Sequence, residues 1–230
     1  MSYDLEPMGL AVVTGATSGI GLEIARALGA RGFDLLLVAD DPGIEFVART
    51  LRAGGSDADG VQVDLTTSRG VEEVYARVVE RGEQVEVLVL NPAAGAAGPF
   101  FLSSLEAEIA MIRTNCIATV HLAKRLLPVM VSAGTGYVLI TSSNDADVAG
   151  PRDAVSDATS AFRRSFSSGI RDELRRTGVT VASMQPGDSD LIVAAHDAVD
   201  VMIDTRNAFV SEWARVPRVS YSPSSASPSV

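Results

Sequence analysis

The stretch Thr14-Gly15-Ala16-Thr17-Ser18-Gly19-Ile20-Gly21 decides the fold of this 230-residue chain. It follows the apolar run Leu10–Thr14, which is typical of a buried strand, and leads directly into an amphipathic pattern over residues 19–30. Glycines at such a junction permit a tight turn and close approach of a pyrophosphate, to which the helix N-terminus offers unpaired N–H groups. Asp40 supplies the acidic residue expected about 20 positions later. The sequence therefore predicts a dinucleotide-binding turn.

Apolar runs alternate with amphipathic stretches along almost the whole chain. Predicted strands cover residues 10–14, 34–39, 60–63, 85–90, 136–141 and 180–185, and predicted helices cover residues 19–30, 43–53, 70–80, 105–131 and 153–177. A later helix near residues 196–204 precedes a seventh predicted strand at 208–216. Repeated β-α units predict a single α/β domain over residues 1–219, a doubly wound sheet of about seven mostly parallel strands with helices on both faces. The Ser- and Pro-rich tail, residues 220–230, is predicted to be disordered.

Composition excludes several functional classes. With a net charge of −10 and no basic cluster, the chain is not expected to bind nucleic acid or an anionic membrane. No apolar run approaches the ~20 residues needed to span a bilayer, and the acidic N-terminus has no export signal. The single cysteine, Cys116, fits a reducing compartment, so we expect a cytoplasmic protein. No His, Cys and carboxylate set has metal-ligand spacing, and we expect no metal site.

Further motifs follow in an order that resembles the short-chain dehydrogenase/reductase family, whose fold is Rossmann-like. The spacing Thr-Gly-x-x-x-Gly-Ile-Gly is joined by Asp64-Leu65-Thr66, by Asn91 in an Asn-Pro-Ala-Ala-Gly run, by Asn115, by Ser142-Ser143 and by Pro186-Gly187. The resemblance covers roughly residues 8–219 and implies redox chemistry with a nicotinamide dinucleotide. It also implies that the cofactor is contacted by Thr14, Gly15, Ser18, Gly19, Ile20, Gly21, Asp40, Asp64, Leu65, Asn91, Pro186 and Gly187.

Both reactive residues of the family are missing. The resemblance places a catalytic tyrosine at Ser156 and, one helical turn later, a ribose-binding lysine at Ser160. In the family the lysine ammonium lowers the pKa of the tyrosine phenol, which can then exchange a proton near neutral pH. Asn115 and Ser143 remain as residual members of this catalytic set. The family's long substrate lid also has little room, because residues 188–191 lead almost at once to a helix.

No other residue can supply the missing chemistry. Lys124 is the only lysine of the chain, and none of the four tyrosines falls near the expected helix turn; they are Tyr3, Tyr75, Tyr137 and Tyr221.

Cofactor choice follows from the end of the second strand. Asp40 and Asp41 stand where a basic residue would favour the 2′-phosphate of NADP, whereas a carboxylate accepts hydrogen bonds from a ribose diol. The resemblance therefore favours NAD over NADP. Loss of the ribose-binding lysine at Ser160 should weaken either dinucleotide, and the sequence leaves open whether NAD is still bound.

Three functions are compatible with these residues. The favoured one is a silent subunit that supports an active family member in a hetero-oligomer, expected to be a heterotetramer, with self-association as the alternative. Family members assemble through helices that correspond to residues 105–131 and 153–177 and through a last strand, here 208–216. Silent subunits occur in the family, for example in aminocoumarin antibiotic pathways that oxidise a carrier-bound β-hydroxytyrosine, and this chain resembles them.

The other two functions are catalytic. One is a stand-alone enzyme of non-redox mechanism, a cyclase, lyase or aldol catalyst that would use Asn115, Ser143 and a loop aspartate. The other is an impaired NAD-dependent oxidoreductase that draws its proton from water, at a loss of about 10²–10⁴ in rate.

Overall fold

A six-stranded parallel sheet forms the centre of the computed structural model, which describes residues 8–92, 99–142, 154–185 and 191–213. The sheet order is β3-β2-β1-β4-β5-β6. The strands are β1 (Leu10–Thr14), β2 (Asp34–Ala39), β3 (Ala58–Gln62), β4 (Val85–Leu90), β5 (Gly136–Thr141) and β6 (Val179–Met184). Strands β1 to β3 are added toward one edge of the sheet and β4 to β6 toward the other, so the strand order reverses between the neighbours β1 and β4. In such sheets ligands bind at this switch point.

Helices cover both faces of the sheet. They are α1 (Gly19–Gly29), α2 (Ile44–Ala53), α3 (Ser68–Arg81), α4 (Leu105–Ile112), α5 (Thr119–Ala133), α6 (Ala154–Leu174) and α7 (Leu191–Trp213). One apolar core joins the sheet to α3, α5 and α6, and a second joins its other face to α1, α2 and α7. Strands buried on both faces explain the unbroken apolar runs in the sequence, and the predicted doubly wound architecture is confirmed.

The predicted long helix at 105–131 contains an irregular segment. Arg113–Ala118 is π-helical and separates α4 from α5, and the hydroxyl of Thr119 donates to the carbonyl of Asn115 at 2.9 Å. Such π-helical turns are short irregularities inside otherwise α-helical runs, and the apolar pattern over 105–131 does not locate this one. By length and composition alone the run Leu105–Ala133 could cross a membrane, with a mean hydropathy of 1.3, but it packs against α3, α6 and β4.

The seventh predicted strand, at 208–216, is wrong. The structure continues α7 without interruption to Trp213, through most of that range, and residues 214–216 lie outside the described residues. The three residues between the predicted helix and the predicted strand include no Gly or Pro that would end a helix. Ala195, Val199 and Met202, in the part of α7 before the predicted strand, are buried in the second core and hold that part of the helix against the sheet.

Candidate functional site

The glycine turn forms a cradle between β1 and α1. Gly15 and Gly19 have φ values of +63° and +57°. A Cβ built on Gly15 would meet the Asn91 carbonyl oxygen at 2.3 Å, and one on Gly21 would meet the Gly15 oxygen at 2.3 Å, whereas one on Gly19 would meet nothing within 4 Å. Gly15 and Gly21 are therefore needed for close packing, while Gly19 faces open space. This geometry fits the approach of a phosphate to the backbone.

The start of α1 is left without a protein anion. The Ser18 side chain makes no capping hydrogen bond, and the first turn of α1 contains no acidic residue. The positive end of the helix is thus available to an external phosphate. Ile20, in contrast, is buried in the second core beneath the turn, where its side chain supports the helix.

Three polar residues tie the ends of β1, β4 and β5 together. The Asn91 side-chain Nδ2 donates to the Gly15 carbonyl at 3.2 Å, and its Oδ1 accepts from the Thr141 hydroxyl at 2.7 Å. The Asn91 backbone N–H donates to the Thr14 hydroxyl at 2.9 Å, and that hydroxyl donates to the Val89 carbonyl at 3.2 Å. We call Thr14, Asn91 and Thr141 the strand-end cluster. Sequence reasoning missed Thr141 and gave Asn91 only a cofactor role.

A cleft with about 660 Å³ of empty space, part of it open solvent, lies beside the glycine turn; it is called the cavity below. It is lined by Thr14, Gly15, Thr17, Ser18, Ala39, Asp40, Val63, Asp64, Leu65, Thr66, Asn91, Pro92 and Thr114. Seven predicted cofactor residues therefore meet around one space: Thr14, Gly15, Ser18, Asp40, Asp64, Leu65 and Asn91. The other predicted contacts at Pro186 and Gly187 lie outside the described residues. Cavity and cradle together fit the adenosine and phosphate portion of a dinucleotide.

Charge in this cavity comes from carboxylates alone, as far as the described lining residues show. Asp40 is exposed at the end of β2, whereas Asp41 is not among the lining residues given above and accepts from the Gly43 N–H at 2.7 Å. The Asp64 carboxylate accepts from the Thr66 N–H at 2.8 Å, which fixes the turn before α3. No Lys, Arg or His is among the lining residues. The cavity therefore offers a ribose acceptor at Asp40 and no cation for a 2′-phosphate.

The positions of the missing dyad lie on α6. Ser156 is half-buried, and Ser160 is 3% exposed. The Ser160 hydroxyl accepts a hydrogen bond from Arg163 Nη2 at 3.1 Å. A serine hydroxyl has neither the reach nor the charge of a lysine ammonium. Ser160 therefore cannot hold the second ribose of a dinucleotide as the family's lysine does.

Of the two residual catalytic residues, Asn115 lies within the described residues and Ser143 does not. Asn115 is buried in the π-helical segment, and its Nδ2 donates to the Thr159 hydroxyl at 3.0 Å. That hydroxyl in turn donates to the Ser156 carbonyl at 3.0 Å. Asn115 therefore braces α6 against the π-helical segment. Ser143 lies outside the described residues; its neighbour Ser142 is buried at the end of β5.

The described tyrosines and the lysine lie away from this site. Tyr137 is near the amino end of β5, about 13 Å from Thr141 at about 3.3 Å per residue. Tyr75 is on α3, where the Arg125 guanidinium lies 5.5 Å from its ring centroid. Lys124 is exposed on α5, roughly 13 Å along the helix axis from Asn115. Tyr3 and Tyr221 lie outside the described residues, so within the described chain the dyad has no substitute.

Other chemistry finds little support around the site. Burial raises the pKa of the Cys116 thiol, and the positive charge of Arg163 opposes that rise. His121 contacts Glu72 at 2.7 Å on the outer surface. Across the described residues, no group of three or more His, Cys, Asp or Glu side chains could hold a metal ion. A smaller cavity of about 390 Å³, lined in part by Tyr137 and Glu86, lies at the amino ends of the strands, away from the glycine turn.

The inward face of α6 is more polar than its sequence suggests. Its buried residues are Thr159, Ser160, Arg163, Ser167 and Ile170. The apolar residues Ala158, Ala161 and Phe162 of the same helix are exposed. Sequence reasoning missed Arg163, although its spacing from Ser167 and Ile170 places it on the buried stripe.

Comparisons with known proteins agree with this geometry. The family model described as short chain dehydrogenase matches residues 9–198. A Streptomyces coelicolor protein named "Putative ketoacyl reductase" is 33% identical over 219 residues, which cover 90% of this chain and 82% of that protein.

Solved structures show the same similarity. A metagenomic short-chain oxidoreductase in complex with NADP is 28% identical with a TM-score of 0.76, and the match covers 85% of this chain and 90% of that one. L-sorbose reductase from Gluconobacter frateurii, complexed with NADPH and L-sorbose, is 28% identical with a TM-score of 0.73 over 79% of this chain and 70% of that one.

Proposed function

Because the chain belongs to the short chain dehydrogenase family, we propose that it is a catalytically silent subunit that supports an active family member in ketone/alcohol oxidoreduction. The observation that carries this proposal is the pair of serines at positions 156 and 160. Ser160 is buried and its hydroxyl accepts from Arg163, so the position that should hold a cation toward substrate and cofactor is part of the protein interior. The retained fold without a proton donor supports a role in assembly.

The substrate class of the complex is proposed from the relatives. The name of the Streptomyces protein, a ketoacyl reductase, supports a β-ketoacyl or β-hydroxyacyl group. We further propose that a carrier protein holds this group in a biosynthetic pathway of antibiotic type. For the cofactor we propose NAD, because Asp40 is the charged group nearest the end of β2 in the cavity lining. The NADP and NADPH held by the two solved relatives belong to those proteins, and this chain differs from a 2′-phosphate site by its acidic lining.

The proposed partner surface lies on α4, the π-helical segment and α6. Large apolar side chains are exposed there: Leu105, Ile109, Ile117 and Phe162. Phe162 also stacks on Phe166, with ring centroids 6.0 Å apart. Apolar groups concentrated on neighbouring helices are typical of a surface that another protein covers. The last-strand contact that the resemblance implied has no counterpart among residues 208–213, which the structure describes as part of α7.

The partner surface is tested by co-expression with an intact family member, followed by size-exclusion chromatography with light scattering. Phe162→Glu should dissociate the complex, because it places a carboxylate in an apolar interface. Phe46→Glu is the matched control, since Phe46 is 66% exposed on α2, away from α4 and α6. A complex that survives Phe162→Glu would refute this surface.

Turnover tests the silent role. The chain alone, the intact partner alone and their mixture are assayed with a β-ketoacyl thioester and NADH or NADPH. We expect no activity from the chain alone and higher activity from the mixture than from the partner alone. Ordinary turnover by the chain alone would favour an NAD(P)-dependent oxidoreductase instead.

A further inference from the structure

Arg163 is a buried cation on the face of α6 that carries Ser160. It is 3% exposed, although arginine is almost never fully buried without partners. Its Nη1 donates to the Pro92 carbonyl at 3.1 Å, and its Nη2 donates to the Ser160 hydroxyl at 3.1 Å. The guanidinium therefore bridges α6 to the segment that follows β4.

This bridge lies at the edge of the nucleotide cavity. Pro92 lines the cavity, so Arg163 holds the backbone of a wall residue. Ser160 stands where a ribose-binding lysine would reach from α6 toward the ligand. Here the nearby positive charge comes from Arg163 instead. The two described hydrogen bonds that Arg163 donates go to protein oxygens. A planar guanidinium fixed in this way holds its geometry more rigidly than a flexible ammonium does.

The two portions of the cleft are therefore unequal. The glycine cradle, Asp40 and the turn at Asp64 surround an open space beside β1. On the α6 side, Ser160 is engaged by Arg163 and presents no cation to a ligand. We propose that Arg163 closes the second-ribose subsite, so that the chain binds adenosine nucleotides through their ADP portion alone. This inference rests on the proposed function, because a subunit that transfers no hydride has no need to position a nicotinamide.

Isothermal titration calorimetry of the full chain with ADP and with NAD tests the inference. We expect dissociation constants that agree within about threefold, because the nicotinamide riboside portion adds little binding energy. NAD that binds ten times more tightly than ADP, or the absence of binding by both, would overturn it. Neither result depends on turnover, so failure here is distinct from failure of the silent-subunit proposal.

A double variant asks whether the subsite can be reopened. Ser160→Lys with Arg163→Leu replaces the internal bridge by a lysine on α6, and we expect NAD to bind at least about tenfold more tightly than ADP. Arg164→Leu is the matched control, because Arg164 is the adjacent arginine and is exposed; it should leave both affinities unchanged. Equal NAD and ADP affinities in a folded double variant would contradict the role of Arg163. Should the double variant not fold, the wild-type comparison of ADP with NAD still decides.

Discussion

Replacement of Asn91 by alanine should destabilise the fold, because its side chain joins β1, β4 and β5. The substitution removes the bonds to the Gly15 carbonyl and from the Thr141 hydroxyl. It leaves the backbone bond from Asn91 N–H to Thr14 in place, so the effect isolates the side chain. The sequence assigned Asn91 to the cofactor; in the structure it lines the cavity and also belongs to the strand-end cluster.

The magnitude follows from the partners that lose their bonds. The Thr141 hydroxyl is buried and the Gly15 carbonyl is half-buried, and leaving such groups unsatisfied costs about 1–3 kcal/mol each. With about 2 kcal/mol for Thr141 and about 1 kcal/mol for Gly15, the loss is about 3 kcal/mol. For a domain of this size that lowers Tm by about 6–12 °C.

Urea and thermal unfolding followed by circular dichroism measure this loss. A double-mutant cycle with Thr141→Val should show coupling between the two changes in unfolding free energy, because both substitutions remove the same hydrogen bond. Asp40→Ala is the control, as an exposed cavity residue whose loss should change stability by no more than about 0.5 kcal/mol. A normal Tm for Asn91→Ala together with lost nucleotide binding would refute the strand-end cluster and return Asn91 to the ligand.

Three further predictions concern charge. Burial raises the pKa of the Tyr137 phenol, although the positive charge of Arg171 opposes that rise. The folded state therefore holds the phenol proton more tightly than the unfolded state does. The resulting stabilisation is full below pH ~10 and is lost as the pH rises through the pKa of the folded state. Tyr137→Phe should lack that alkaline loss in pH-dependent unfolding. Asp40→Arg should shift nucleotide preference about tenfold toward NADP in calorimetry, since it supplies a cation for the 2′-phosphate. Arg163→Leu should raise the pKa of Cys116 further, visible as slower thiol labelling at fixed pH, whereas Arg164→Leu should not.

Local signals in the sequence predicted the frame of the molecule well. The turn at 14–21 contains glycines whose conformations and close contacts few other residues permit. Its geometry can therefore be predicted from residues that are adjacent in the sequence. Buried parallel strands likewise show as apolar runs. The prediction of a seventh strand was wrong because a short apolar segment such as 208–216 fits either a strand or a buried helix, and only packing decides between the two.

Long-range contacts could not be predicted in the same way. The partners of Asn91 lie 76 and 50 positions away in the sequence and meet it only through the sheet order. Arg163 was overlooked because an arginine is assigned to the surface by default. The absence of the dyad stays a prediction from the register of the motifs, and the structure adds what surrounds Ser160.

Deuteride transfer tests the central claim of catalytic silence most directly. The chain alone is incubated with 4-deuterated NADH and a β-ketoacyl thioester, and the hydroxyacyl product is examined by mass spectrometry, which detects even slow chemistry. An intact family member serves as the positive control. We predict no deuterium in the product for the chain alone, and labelled product when the intact partner is added. Labelled product from the chain alone, at a rate that tracks its concentration, would contradict the claim.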